Sequence, residues 1–151
     1  MMSGPKIRID DSVELRSELS GIVDGRSQKV LALWARAMAE RIAMEFPESD
    51  AVSESTVALS ETVDGFIDGT MSVGEIRRRG LEVHALARDA EGAEQAAIRT
   101  IGQALSVCHM REHALVASDY AIRTVNLLRP GDIGAVIDER NAQIRDLSDL
   151  A

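Results

Sequence analysis

Cysteine is almost missing from this chain: Cys108 stands alone, so no internal disulfide can form and a small fold held together by staples is excluded. Aromatic residues are equally scarce, at 3% of 151 positions. The core must therefore come from Ala, Leu, Ile, Val and Met, a palette that favours closely packed helices. With only three prolines, long blocks of helix-forming residues run uninterrupted. No segment approaches the ~20 consecutive apolar residues needed to cross a bilayer, and the opening MMSGPKIRIDD lacks the apolar stretch of a secretory signal. A cytoplasmic location is the expectation. Positive charge is also short: 17 Lys and Arg stand against 25 Asp and Glu, a net charge of -8. That balance argues against a nucleic-acid surface, which needs a basic stripe to neutralise phosphates. It keeps the chain dispersed and would suit a basic protein partner. Gly-rich phosphate loops, Cys-x-x-Cys pairs and nucleophile elbows are absent, so neither a cofactor nor enzymatic activity is expected.

What is present is helical periodicity. Hydrophobic residues make up 45% of the chain, enough for one domain with a real core. The expectation is an all-α, compact bundle of about six helices over residues 26–151, preceded over residues 1–25 by an N-terminal tail and a short helix. Met1 to about Ile9 read as a loose tail, because Gly4 and Pro5 discourage early structure. Asp10 or Asp11 can cap the short helix through Val13, Leu15 and Leu19. Leu31, Trp34, Ala35, Met38, Ile42 and Phe46 then repeat at spacings of three and four, a core helix closed by Pro47 with Trp34 as its anchor. A further helix spans about Val52 to Ile67. Ser72 and Glu75 form a capping box for the next, which buries Ile76, Gly80, Val83 and Ala87. Pro130 and Gly131 precede a last helix carrying Val136, Ile137, Arg140, Ile144 and Leu147.

The organising stretch lies between these, from Ile98 to Val125. One apolar stripe passes through Ile98, Ile101, Leu105 and Cys108, but continuing it would bury Glu112 and Asp119. A second stripe through Met110, Ala114, Ala117, Ala121 and Val125 runs backwards into Gln103 and Arg99. The two halves are out of phase, which predicts two helices meeting near Met110 to Glu112. Their small side chains predict a central position.

His109, Glu112 and His113 match H-x-x-E-H, a pattern that on one continuous helix could place two imidazoles on a metal with a carboxylate as general base. The phase break falls between the histidines, and a third ligand must be sought at Asp119, Glu139 or His84 without a motif of its own. We therefore read the rings as hydrogen-bonded side chains at a helix junction and expect no metal. His84 reads as a packed or hydrogen-bonded residue at the edge of its stripe, and Cys108 as a small buried hydrophobe. Tyr120, two turns beyond His113, is placed to hydrogen-bond near the junction.

Three segments together resemble the immunity protein 5-like family of bacterial toxin systems. They are Ala32 to Ala35 with Ala39 to Ile42 and Phe46-Pro47; Gly69 to Glu75 leading to His84-Ala85 and Ala87-Arg88; and Ile101 to Ala104 with Cys108-His109, His113-Ala114, Ala117 and Tyr120-Ala121. Glu139-Arg140, Gln143 and Leu147 are similar to the family's tail. The resemblance implies an all-α fold and a protein that neutralises a cognate toxin by binding it, without catalysis. Trp34, His84, Gly102, Gln103, His109, His113 and Tyr120 carry the motifs and are expected to be structural. The alternatives are a metal-dependent hydrolase using the H-x-x-E-H segment and a structural protein that self-associates; a homo-oligomer is left open by the sequence.

Overall fold

Short polar side chains decide where most of the helices begin. Ser12, Ser27, Ser49 and Ser72 accept hydrogen bonds from the backbone N–H groups of Leu15, Val30, Val52 and Glu75, and Asp132 accepts one from that of Ala135. Each such cap satisfies a donor that the first helical turn leaves open, typically a contribution of about 1 kcal/mol. The computed structural model describes residues 4–150. Among them run α1 (Val13–Asp24), α2 (Gln28–Ala43), α3 (Asp50–Asp68), α4 (Val73–Arg88), α5 (Gly92–Ser106), α6 (His113–Leu128) and α7 (Ile133–Asp149). There is no strand among the described residues, so the fold is all-α. Among the described residues the helices number seven against about six expected, and α1 is a full helix of 12 residues.

Where α3 stops, Gly69 takes a left-handed φ of 77°. The N–H groups of Thr70 and Met71 then both donate to the carbonyl of Gly65, at 2.9 and 3.2 Å, which turns the chain into α4.

At the centre lies α5, in contact with α2, α3, α4 and α6. Ala97, Ile98, Ile101, Gly102, Ala104 and Leu105 are all buried along it. Ala114, Ala117, Ser118 and Ala121 do the same on α6, which touches α1, α2, α5 and α7. Small side chains let these helix surfaces approach closely, and Leu31, Leu59, Ile98 and Leu105 fill the space between them with no exposed area. Trp34 is fully buried in α2, and its indole N–H donates to the carbonyl of Gln143 in α7 at 3.0 Å.

The conflict of phase within Ile98 to Val125 is resolved by a turn over residues 107–112, which separates α5 from α6 and leaves Glu112 exposed. The expected N-terminal tail has no regular structure among its described residues. Residues 1–3 lie outside the described residues, but the segment just after them is held on α6. Arg123 donates to the carbonyl of Arg8 at 3.1 Å, and Asn126 both accepts from the N–H and donates to the carbonyl of Asp10, at 2.9 and 3.0 Å.

Candidate functional site

The junction of α4, α5 and α6 gathers several motif residues. His113 opens α6, and its Nδ1 donates to the side-chain oxygen of Gln103 on α5 at 2.7 Å. His84 reaches over from α4, where its Nδ1 lies 3.1 Å from Nη1 of Arg99. A guanidinium can only donate, so that ring nitrogen must accept and the imidazole is neutral. Burial, then the charges of Arg99, His113 and Arg88, push the His84 pKa below its ordinary value. His113 is lowered as well, by burial first and by His109 and Lys6 after it, against an opposing pull from Glu112. Gly102 packs against His84: a Cβ there would meet the ring at 2.7 Å, so any larger residue would force the imidazole to shift.

His109 lies in the turn, outside both helices, so the H-x-x-E-H segment does not present its two imidazoles from one continuous helix. Among the described residues no group of three or more His, Cys, Asp or Glu side chains is placed to hold a metal. Of the three nominated third ligands, Asp119 and Glu139 are occupied by arginines and His84 by Arg99. Cys108 is buried, and burial pushes its thiol up to about 12, so it stays protonated near neutrality. Tyr120 lines a cleft with Arg99 and Arg123.

Beyond the histidines stands a buried chain of opposite charges. Arg140, with no exposed area, projects from α7 and uses every N–H of its guanidinium. It grips Asp11 through Nε and Nη2 at 2.9 and 2.7 Å, reaches Asp119 at 2.8 Å, and donates to Ser118 and Gln143 through Nη1 at 3.1 and 2.9 Å. Burial works to lower its pKa, and the hydrogen bonds and charges of Asp11 and Asp119 outweigh that, so it is raised overall. The other side of Asp119 is held by Arg16 of α1 in a two-pronged pair, both contacts at 2.9 Å. The chain continues from Gln143 to Glu139 at 2.9 Å, from Glu139 to Arg41 at 2.8 Å, and from Arg41 to Asp146 at 2.8 Å. The sequence carried a signal for this: Asp119 and Arg140 are charges of opposite sign on inward-facing helical positions. Read one helix at a time, each looks like an error of pattern, and together they are mates.

On the outside, α3 displays a different pattern. Asp50, Glu54, Val57, Glu61, Asp64 and Asp68 recur at helical spacing and are all exposed, and α3 contains no Lys, Arg or His. Arg79 pairs with Glu61 at 3.1 Å and Arg36 with Asp64 at 2.8 Å, while the remaining carboxylates of the stripe form no ion pair among the described residues. Between α3 and α4 runs a groove of about 500 Å³, lined by the apolar Val57, Ala58, Val83 and Leu86 together with Glu54, Glu82 and Arg79. Leu81 of α4 is 70% exposed. An apolar strip bordered by the α3 carboxylates, with Arg79 as its one basic neighbour, is a surface suited to a protein carrying positive charge around an apolar centre.

The family model described as Imm-5 like putative immunity protein matches residues 22–150. No curated protein and no solved structure matches the chain. The matched span contains both the histidine junction and the α6–α7 half of the charge network, whereas Asp11 and Arg16 fall ahead of it.

Proposed function

Since the chain belongs to the Imm-5 like putative immunity protein family, we propose that it neutralises a cognate toxin by binding it, through the acidic stripe of α3 and the groove beside it. The observation that carries this reading is the run of exposed carboxylates from Asp50 to Asp68, uninterrupted by any basic side chain in α3 and bordering exposed Val57. Such a face draws in a basic partner from a distance and offers apolar contact once it docks. No bond need be made or broken for that role, because occlusion of the toxin suffices.

The test is co-purification with the product of the neighbouring toxin gene, followed by titration of the purified pair. Glu54→Lys and Glu61→Lys are predicted to weaken the complex by about tenfold each while leaving the helical circular dichroism intact. Undiminished affinity in both variants moves the contact face off α3. Absence of any complex at low salt removes the neutralising role itself.

A further inference from the structure

One concave part of this acidic molecule is basic. Arg8, Arg99 and Arg123 line a single cleft of about 460 Å³ together with Tyr120, between α5, α6 and the segment that precedes α1. No carboxylate lines the cleft, and none of the three arginines pairs with one among the described residues. Two of them are anchored by hydrogen bonds. Arg99 gives one nitrogen to His84, and Arg123 gives one to the carbonyl of Arg8. Each guanidinium carries five N–H donors, so both have donors left over for the cleft. Three like charges around one space repel each other, and a bound anion would relieve that repulsion.

We propose that this cleft binds a small phosphate-bearing anion, either free phosphate or pyrophosphate or the phosphate of a monoester. A lone carboxylate would be neutralised by a single arginine. Three guanidinium groups match a multiply charged group with several oxygens, which their forked donors can grip in pairs. The volume lies within the range of roughly 300–1,000 Å³ found for small-molecule sites. The occupant binds on its own surface, apart from α3, so this site stands or falls independently of toxin binding.

The experiment is a calorimetric and thermal-shift titration of the whole chain with phosphate, pyrophosphate and adenosine monophosphate, with sodium chloride and acetate at matched ionic strength as controls. A melting temperature that rises with phosphate or pyrophosphate concentration, and not with the controls, is the expected result. Arg8→Ala and Arg123→Gln should each weaken binding by about tenfold with unchanged circular dichroism. The Arg8 side chain bonds to no other described residue, so that variant leaves the fold's own contacts in place. Tighter binding of the monophosphate than of phosphate assigns the site to a nucleotide-like ester, and equal binding assigns it to phosphate alone. No rise with any of the three compounds overturns the proposal, as does a rise equal to that given by acetate, or one unchanged in both variants.

Discussion

Asp119 shows how much can hang on one side chain. It is 2% exposed and sits between two guanidinium groups. Removing one member of a buried ionic cluster leaves its partners charged and without water, which typically costs about 3–5 kcal/mol. Asp119→Ala is therefore expected to lower the unfolding free energy by about that amount, read as a shift of the urea midpoint at constant slope. The histidines set a different dependence. His84 and His113 are both less basic folded than unfolded. As pH falls below the ordinary histidine pKa of about 6.5, the unfolded chain takes up protons that the folded one refuses, so stability present above that pH is lost on acidification. The melting temperature should drop between about pH 7 and about pH 5.5. In a His84→Gln, His113→Gln variant the slope over that window should flatten; an unchanged slope would place the proton uptake elsewhere.

Between elements, the approach of α4 to α5 at Gly102 admits a sharper test. Gly102→Ala puts a methyl into the His84 ring and is expected to destabilise by about 1–3 kcal/mol. In a His84→Ala background the same change should stabilise by up to about 1 kcal/mol, because alanine is the better helix residue and the obstacle has gone. Additive effects would mean that the two positions do not touch. How far the helices were legible follows from what holds them. In α2 the apolar stripe from Leu31 to Ile42 announces both helix and buried face, and the two clashing stripes of Ile98 to Val125 announce the break. The packing of α1 was not readable, since Arg16 and Asp11 help to fix it by charge to partners 103 and 129 positions away, and helical periodicity says nothing at that range. Asp11→Asn should accordingly expose the amides of α1 to hydrogen exchange well before those of α5, measured under native conditions. Equal protection of both helices would show that the Asp11–Arg140 pair is not what holds α1.

At the scale of the whole molecule, net charge and its layout are separate facts. The composition gives -8 and suggests a uniformly acidic body. The fold sorts that charge into an acidic stripe on α3, a neutralised seam through the interior and a basic cleft beside α6. Only the total could be read beforehand, because which charges share a surface depends on contacts across the chain. Affinity for a toxin docked on α3 should fall steeply between about 0.05 and about 0.3 M salt, mainly through a slower association rate. A salt-insensitive rate would make the apolar groove, rather than the stripe, the recognition element. In the histidine junction the residue types and the helix break were visible in the sequence, but the pairing of His84 with Arg99 required α4 and α5 to be laid side by side.

The fastening of Asp11 and Asp119 by Arg140 has a consequence in time. The clasp arrives on α7, which is synthesised after α1 to α6, whereas the carboxylates it fastens lie ahead of α1 and within α6. Until then Asp119 lacks one of its two arginines, and burying its charge is correspondingly more costly. However early the apolar heart of the protein gathers itself, Asp11 and Asp119 thus gain their shared guanidinium only once α7 is finished.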